Sequence, residues 1–363
     1  MPRLPLEFTR RTRLLSVAVA MSGVFLIGAP GGPRWQLQTS GVTGRLRGVS
    51  VVSNMVAWAS GANGAVLRTV NGGMTWQILP VPDAAQLDFR DVDAMSERDA
   101  YVLSIGPGDS SRIYKTSDAG AHWTLQLKNT DPRVFLDAMA FWTPARGIAF
   151  SDSVDGQFVI FSTSDGGGTW SRIPSSALPE ALPSEGAYAA SGTNVATFGT
   201  RDVWIGTSTA RVLHSSDGGK TWSVHRTPLA TGESAGIFSI AFRDGRHGVI
   251  VGGDYRKERE AIDNVATTSD GGVTWTLVRQ HGLSGFRSAV AWVPNTARSW
   301  LAVGPSGADR SDDDGRTWSA IESDGFDALS FGWHSQVGWI TGTQGRIARI
   351  DWSADRRNDP VER

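Results

Sequence analysis

The chain has 363 residues, enough for two ordinary domains or for one large all-β domain. Its 35 basic and 36 acidic residues leave a net charge of −1, which excludes a global field that would recruit nucleic acid or a membrane surface. The absence of cysteine excludes disulfides, a lipidated cysteine and thiol chemistry, whereas 43 glycines and 15 tryptophans indicate many tight turns and many large buried rings.

The first 30 residues have the pattern of a secretory signal peptide. Arg10, Arg11 and Arg13 precede the uncharged run LLSVAVAMSGVFLIG at 14–28. A basic start, an apolar run and a small residue near position 29 are typical of a cleaved signal. The run is short for a spanning helix, which needs about 20 residues, and an uncleaved anchor is the alternative. The sequence therefore predicts export to the periplasm or the extracellular space, with membrane contact only through an uncleaved N-terminal segment.

Six similar octets follow in the rest of the chain. They fit Ser/Thr-x-Asp-x-Gly-x-x-Trp, with asparagine once in the acidic place, and they are TVNGGMTW (69–76), TSDAGAHW (116–123), TSDGGGTW (163–170), SSDGGKTW (215–222), TSDGGVTW (268–275) and SDDDGRTW (311–318). From Trp35 onwards the corresponding tryptophans are 41 to 53 residues apart. A period of this length suits a four-stranded propeller blade.

Each interval between octets contains the same series of short strands. An apolar strand such as VFLDAMAF (134–141) comes first, and strands such as GWITG (338–342) and RVLHS (211–215) come second and third. Short strands separated by regular turns, without a helical period, are typical of all-β folds.

The distribution of strands predicts a closed ring. The last repeat (326–352) has three strands and no octet, whereas WQLQ at 35–38 is a fourth strand without a predecessor. If these pair, seven blades form one ring and no large sheet edge stays open. The predicted fold is therefore all-β, a single seven-bladed β-propeller at 31–353 whose last blade is closed by the N-terminal strand (35–38), followed by a polar tail at 354–363.

The octet residues are predicted to be structural. Glycine at the fifth place supplies a positive φ, the Asp or Asn bonds the backbone of its own turn, and the tryptophan covers the hairpin. Six near-identical copies are not six active sites, and calcium binding is a remote alternative. The residues concerned are Asn71, Asp118, Asp165, Asp217, Asp270 and Asp313, with Trp76, Trp123, Trp170, Trp222, Trp275 and Trp318.

The octets resemble the Asp-boxes, or BNR repeats, of sialidases and sorting-receptor propellers. Together with GWITGTQGRIARI (338–350), they most resemble the photosystem II stability/assembly factor-like propellers. Segments such as SDSVDGQF (151–158) and EGAYAASGT (185–193) resemble exported bacterial members of that group, which are often labelled oxidoreductase or glycosyl hydrolase. The resemblance covers about residues 35–352. It implies a binding protein that helps another protein assemble and uses basic surface residues, and it does not imply that a photosystem is involved.

Propellers bind ligands at the mouth of the central channel, where the innermost strands begin. Aligning the first strand of each repeat predicts one column of residues there: Gly48, Asp91, Asp137, Phe238, Ser288 and Asp327. Arg47, Arg90 and Arg287 stand one position earlier. Since the repeat requires neither acids nor arginines at these places, they are candidates to bind a sugar, a carboxylate or a peptide terminus. The alternative is that they pair with one another across neighbouring blades and seal a wet channel.

Loops that break the period supply further candidates. Loops carry function more often than the scaffold does, although an irregular charged loop is often only solvated surface. The longest, at 171–187, has three prolines and two glutamates. The candidates from the other irregular loops are Asp109, Arg112, Asp152, Asp254 and Tyr255.

Two classes of function follow. The first is an exported, monomeric, non-catalytic propeller that binds a protein or peptide at the channel face. The second is a glycoside hydrolase, sialidase-like or xyloglucanase-like, which acts on carbohydrate through two carboxylates about 5–9 Å apart. Its candidate catalytic acids are Asp91, Asp137, Asp152 and Asp327. No dinucleotide or haem motif is present and the six histidines lack metal-ligand spacing, so the sequence predicts neither a cofactor nor a metal.

Overall fold

The computed structural model describes residues 26–27, 33–322 and 324–354. Most of the predicted signal segment (1–30) and the tail from residue 355 onwards lie outside these residues. Two strands come first, β1 (Leu26–Ile27) and β2 (Arg34–Gln38). Among the described residues no helix is long and apolar enough to span a bilayer. The helical elements there are single 3-10 turns, at Gly108–Ser110, Ser175–Ala177, Thr343–Gly345 and Trp352–Ala354.

The described strands form seven antiparallel sheets, the blades, which follow one another along the chain. Blade one has β3 (Leu46–Val51), β4 (Ala57–Gly61), β5 (Val66–Thr69) and β6 (Gln77–Ile78), and blade two has β7 (Asp88–Ala94), β8 (Ala100–Ile105), β9 (Arg112–Thr116) and β10 (Thr124–Lys128). Blade three has β11 (Leu136–Thr143), β12 (Arg146–Val154), β13 (Gln157–Thr163) and β14 (Ser171–Arg172), and blade four has β15 (Val195–Phe198), β16 (Asp202–Gly206), β17 (Arg211–Ser215) and β18 (Ser223–Arg226). Blade five has β19 (Ala235–Phe242), β20 (Gly248–Asp254), β21 (Val265–Thr268) and β22 (Thr276–Leu277), and blade six has β23 (Ala289–Trp292), β24 (Trp300–Gly304), β25 (Gly307–Ser311) and β26 (Ser319–Glu322). Blade seven begins with β27 (Ala328–Phe331), β28 (Val337–Thr341) and β29 (Ile347–Asp351).

The seventh blade is completed by the N-terminal strand. β29 pairs with β2 in an antiparallel register that runs from Arg34 opposite Asp351 to Gln38 opposite Ile347. β1 then adds a short fifth strand to the same sheet. This confirms the prediction of a seven-bladed propeller whose last blade is closed by residues 35–38.

The core consists of apolar layers between neighbouring blades. Between blades one and two, for example, Trp58 packs with Phe89 and Val102. The octet tryptophans enter these layers, since Trp123 packs into the layer between blades one and two and the buried Trp318 into that between blades five and six. The tryptophans therefore join adjacent blades as well as covering their own hairpins.

Each octet forms the turn between the third and fourth strand of its blade. The glycines at its fifth place have φ between 80° and 87°, the left-handed region that favours glycine. In the third octet, Asp165 Oδ1 accepts hydrogen bonds from Thr169 N and from Thr163 Oγ1, both at 2.9 Å, and Oδ2 accepts one from Thr169 Oγ1 at 2.8 Å. The bond from the Thr169 N–H is the main reason that the pKa of Asp165 falls to about 2. These carboxylates are thus saturated by their own turns.

The first strand of each blade contacts the first strand of the blades on either side. These strands, β3, β7, β11, β15, β19, β23 and β27, therefore surround the central channel. The residues at the beginning of these seven strands therefore determine which side chains meet at the mouth of the channel.

Candidate functional site

A β-bulge near the start of an innermost strand turns one side chain towards the channel. In β3, β7, β11 and β19 one residue interrupts the pairing with the second strand of the blade. A bulge of this kind changes the direction of a side chain without ending the strand. The bulged residues, and those that directly precede β23 and β27, line one cavity of about 410 Å³, here called the mouth: Arg47, Arg90, Asp137, Phe238, Ser288 and Asp327.

The sequence alignment was one residue out of register in the first two blades. It placed Gly48 and Asp91 in the mouth, whereas Arg47 and Arg90 occupy that place. Asp91 lies outside the cavity lining, buried, and its Oδ2 accepts a hydrogen bond from Met139 N at 2.7 Å. The error arises because one extra residue in a strand reverses which side chains face the channel. Asp91 therefore joins blade two to blade three.

Residues 185–193, here called the crossing segment, form part of the mouth's wall. The segment precedes the first strand of blade four, yet it reaches the opposite side of the ring. Arg47 Nη1 donates to Ala190 O at 3.2 Å and Arg90 Nη1 to Ala189 O at 2.6 Å. Ser191 Oγ donates to Ser288 O of blade six at 2.8 Å. These bonds connect blades one, two and six through a segment that belongs to blade four.

The side of the mouth formed by blades seven, one and two is rich in arginine. Arg45 makes a two-pronged ion pair with Asp327, with Nε–Oδ2 and Nη2–Oδ1 distances of 2.7 and 2.5 Å. Arg90 Nε donates to Asp88 at 2.8 Å. Burial, followed by the nearby charge of Arg90, lowers the pKa of Arg47 to about 10. Arg45 thus neutralises Asp327 and Arg90 pairs with Asp88, while the neighbouring Arg47 is a half-buried cation whose hydrogen bond goes to a backbone carbonyl.

The side formed by blade three carries two carboxyl groups. Asp137 is buried and lines the mouth, and its Oδ2 has no hydrogen-bond partner among the described residues. Asp152, at the end of β12, also lines the mouth, and its Oδ1 accepts a hydrogen bond from Ala187 N at 3.3 Å. Burial, and then the charge of Asp152, raise the pKa of Asp137 well above its ordinary value. Burial raises the pKa of Asp152 to about 6.

The remaining wall, from the crossing segment and blades five and six, is aromatic. Tyr188 stacks on Phe238 with their ring centroids 3.9 Å apart, and Phe286 meets Phe238 edge-on at 4.6 Å. Tyr255 packs edge-on against both rings of that stack at 6.1 Å. The mouth thus combines a cationic side, an acidic side and an apolar side, which is an arrangement typical of a ligand site.

The structure does not bring the other predicted residues to the mouth. Arg287 is buried in an ion pair with Asp309, at 2.6 Å between Nη2 and Oδ2. Arg112 Nε donates to the backbone oxygen of Asp109 at 2.5 Å, and neither residue lines the cavity. Asp254 Oδ1 accepts a hydrogen bond from Ser234 Oγ at 2.7 Å. Of the five loop candidates, Asp152 and Tyr255 line the mouth.

Sequence reasoning missed Arg45, Phe286 and the crossing segment. The segment had one visible signal, since EGAYAASGT (185–193) stands where the other repeats have the beginning of an apolar first strand. Arg45 and Phe286 lie shortly before the aligned first-strand positions of blades one and six. No sequence pattern distinguished them. Among the described residues, no group of three or more His, Asp or Glu side chains is placed to hold a metal ion.

Replacing Asp137 with asparagine should stabilise the protein near pH 8 and leave its stability near pH 4 unchanged. The native state holds the proton of Asp137 to a higher pH than the unfolded chain does, so the free energy of unfolding contributed by this group falls as the pH rises. We expect Asp137→Asn to raise the free energy of unfolding near pH 8 by about 1–3 kcal/mol, because the amide stays neutral where ionisation of a buried carboxyl group is unfavourable. Urea unfolding at both pH values measures the effect, with the exposed Asp83→Asn as control. An equal effect at both pH values would contradict this account.

No protein-family model and no curated protein sequence matches the chain. Solved structures do share its architecture. YCF48 from Cyanidioschyzon merolae is 18% identical with a TM-score of 0.63, over 87% of this chain and 98% of that one. A structure of YCF48 bound to D1 peptide is 17% identical with a TM-score of 0.61, over 90% of this chain and 99% of that one.

A glycoside hydrolase is also among these similar structures. The GH74 xyloglucanase from Xanthomonas campestris is 17% identical with a TM-score of 0.57, over 87% of this chain and 53% of that one. The chain therefore spans about half the length of the xyloglucanase. At such identities a likeness shows the fold alone. Its seven sheets and these likenesses together show that the chain is a seven-bladed β-propeller with the architecture of YCF48 and of the propeller in a GH74 xyloglucanase.

Proposed function

We propose that this protein is exported and that it is a non-catalytic propeller whose mouth binds a protein or peptide segment carrying a carboxylate. The observation that carries the proposal is the pair Arg47 and Arg90. In the described part of the chain, the side chain of Arg47 makes its one hydrogen bond to a backbone carbonyl, Ala190 O. Its lowered pKa reflects burial and the charge of Arg90. A ligand carboxylate next to both guanidinium groups would supply the missing negative charge and accept charge-assisted hydrogen bonds.

The rest of the mouth supports a peptide as the ligand. The cavity of about 410 Å³ holds a few residues of an extended chain, and the rings of Tyr188, Phe238 and Phe286 offer an apolar surface for a side chain. A YCF48 structure of the same fold contains a D1 peptide. The resemblance to assembly factors, drawn from the sequence, points to the same class of partner.

Replacing Arg47 with methionine should weaken the binding of a peptide that ends in a free carboxylate. The probes are acetyl-Ala-Phe-Ala with a free carboxyl terminus and the same peptide as its amide, titrated calorimetrically into the full chain. We expect the acid to bind more tightly than the amide, and Arg47→Met to weaken binding of the acid by about 10- to 100-fold, because a hydrogen bond to a charged group contributes about 1.5–3 kcal/mol. Binding of the amide should change little.

The matched control is Arg226→Met, which removes an exposed arginine from β18 on the outer edge of blade four. It should leave both affinities unchanged. Equal affinities of the acid and the amide for the unaltered protein, or an equal loss in Arg226→Met, would rule out carboxylate recognition by Arg47.

The alternative function is glycoside hydrolysis by Asp137 and Asp152. The observation that favours it is that these two carboxyl groups face one cavity and both have raised pKa values, as a general acid requires. Two of the four predicted catalytic acids do not fit this role, because Asp327 is bound by Arg45 and Asp91 lies outside the mouth. Release of reducing sugar from xyloglucan by the unaltered protein, abolished in Asp137→Asn, would establish the hydrolase in place of the binding protein.

A further inference from the structure

The acidic side of the mouth contains a buried carboxyl group with an unpartnered oxygen. Asp137 is 1% exposed, sits at the bulge of β11 and lines the cavity. Its Oδ2 is buried without a hydrogen-bond partner among the described residues. Other buried acids of the chain are bonded, since Asp309 accepts from Arg287 Nε and Asp91 from Met139 N, both at 2.7 Å. Native proteins leave few buried polar atoms unpaired, so a carboxyl group with one unpaired oxygen that lines a cavity points to a ligand.

Asp152 places a second carboxyl group beside the first. It comes from the adjacent strand β12, and its charge is the second cause, after burial, of the raised pKa of Asp137. The crossing segment faces the pair with Tyr188, whose pKa burial raises to about 12, so that its ring stays neutral. Two cations of the mouth, Arg47 on blade one and Arg90 on blade two, donate to backbone carbonyls of that segment. Glu258 also lines the cavity, and its charge acts on Arg45 on the cationic side.

The chemistry of this pair selects a cation. When these two groups ionise they carry negative charge and only accept hydrogen bonds, so the ionised pair attracts a cation and repels a ligand carboxylate. A primary ammonium group has three donors and one positive charge, and it is compact enough to reach a side chain as buried as Asp137. The neutral ring of Tyr188 adds an aromatic surface, which also favours a cation.

We propose that Asp137 and Asp152 form an ammonium-binding pole of the mouth, so that the ligand is a peptide with a lysine side chain or a free amino terminus in addition to its carboxylate. The proposal rests on the peptide-binding function above and adds the second charge that the peptide carries. Arg47 and Arg90 bind the anionic end, the pair binds the ammonium, and the rings of Tyr188, Phe238 and Phe286 provide the apolar wall for the rest of the ligand. The mouth is then complementary to a zwitterionic ligand.

The test compares peptides that differ in one charge. Acetyl-Lys-Phe-Ala and acetyl-norleucine-Phe-Ala share the carboxylate and a four-carbon side chain. Ala-Phe-Ala with a free amino terminus places the ammonium on the backbone, and acetyl-Ala-Phe-Ala is its counterpart without the charge. Butylammonium chloride serves as a probe that has the ammonium without any carboxylate. Affinities are measured calorimetrically for the unaltered full chain and for Asp137→Asn, Asp152→Asn, Arg47→Met and the exposed control Asp83→Asn.

We expect one of the two ammonium peptides to bind the unaltered protein about tenfold more tightly than the norleucine peptide, which corresponds to one charge-assisted contact. The peptide that binds more tightly shows whether the bound ammonium comes from a lysine side chain or from the amino terminus. Asp137→Asn and Asp152→Asn should remove the difference between the ammonium and norleucine peptides, and Asp83→Asn should preserve it. Because the asparagine side chain is nearly the same size as the aspartate that it replaces, the folded structure is expected to persist, and urea unfolding of each variant verifies this.

Proton release provides a second readout that a merely structural role would not produce. An ammonium stabilises the ionised carboxylates, so binding releases protons and the affinity rises as the pH increases through about 6, the pKa of Asp152, and beyond. Titrations in buffers with different ionisation enthalpies count these protons. Binding of the norleucine peptide should release fewer.

The outcomes separate this proposal from the function on which it rests. If the lysine, amino-terminal and norleucine peptides bind equally, while Arg47→Met weakens all of them, the ammonium pole is wrong and carboxylate recognition stands. If the peptides fail to bind but butylammonium binds in a manner that needs Asp137, the peptide function is wrong and the ammonium pole stands. If no ammonium probe binds, or if xyloglucan oligosaccharides bind through Asp137 instead, the ammonium proposal is overturned.

Discussion

Arg211→Met is expected to lower the free energy of unfolding by about 3–5 kcal/mol, because it leaves a buried carboxylate without its counter-charge. Glu185, at the start of the crossing segment, is completely buried. Its Oε1 accepts hydrogen bonds from Arg211 Nε at 3.0 Å and from the hydroxyls of Thr207 and Thr209 at 2.7 and 2.6 Å, and its Oε2 bonds Arg211 Nη2. Urea unfolding at neutral pH, followed by tryptophan fluorescence, measures the loss.

The matched control is again Arg226→Met, which should stay within about 0.5 kcal/mol of the unaltered protein because the side chain is exposed. The double variant Glu185→Gln with Arg211→Met removes both charges and should recover part of the lost stability, which a double-mutant cycle reports as coupling between the two residues. If Arg211→Met costs no more than Arg226→Met, the buried pair does not hold the segment.

The same variant has a functional consequence. Arg211 does not line the mouth, yet it fixes Glu185, from which the chain continues to Tyr188 and to the carbonyl groups that Arg47 and Arg90 bond. Arg211→Met should therefore also weaken peptide binding, in proportion to the mobility that the crossing segment gains. The effect is indirect, so it should be equal for the lysine and norleucine peptides.

Trp35→Ala is expected to lower the free energy of unfolding by about 3–5 kcal/mol, the usual cost of truncating a buried aromatic side chain. Trp35 is 3% exposed, lies opposite Ile350 in the closing strand pair and stacks on Phe326 at 6.1 Å between centroids. It belongs to the apolar layer between blades six and seven. Its loss both opens a cavity there and weakens β2, the strand that closes the ring.

Trp333→Ala is the control for Trp35→Ala, because Trp333 is in the same blade but 76% exposed. In thermal and urea unfolding, Trp333→Ala should be nearly as stable as the unaltered protein. Trp35→Ala should show the full predicted loss of unfolding free energy. A small loss in Trp35→Ala would mean that the ring does not depend on closure by the N-terminal strand.

The repeat made the fold predictable, because every part of its signal is local. Each octet contains, within eight residues, a turn that needs a left-handed glycine, an Asp or Asn that bonds its own turn, and a tryptophan at a fixed offset. Six copies repeat this signal along the chain. The closing strand was predictable from the two incomplete repeats at the ends of the propeller. WQLQ is a fourth strand without three preceding strands, and the final repeat has three strands without a fourth.

The composition of the mouth was predictable only in part. Arg47, Arg90, Asp137 and Asp327 were identified as residues that the repeat does not require, and all four line the cavity. Asp91 and Arg287 were identified by the same reasoning, but one bonds a neighbouring strand and the other a buried aspartate. The residues that line the mouth differ from these two because of a β-bulge in the strand of Asp91 and an ion-pair partner for Arg287. Neither feature has a pattern in the sequence.

By itself, then, the sequence determined the seven blades, their closure and the structural role of the octets, because local turn chemistry and strand period decide these features. Only the tertiary structure decided which charges meet at the mouth. Arg47 and Ala190 are 143 residues apart, and Glu185, in an irregular segment, is 26 residues from Arg211 in the third strand of blade four. Contacts of this kind depend on the bulge in each strand and on the path of one irregular segment, and no local pattern specifies either.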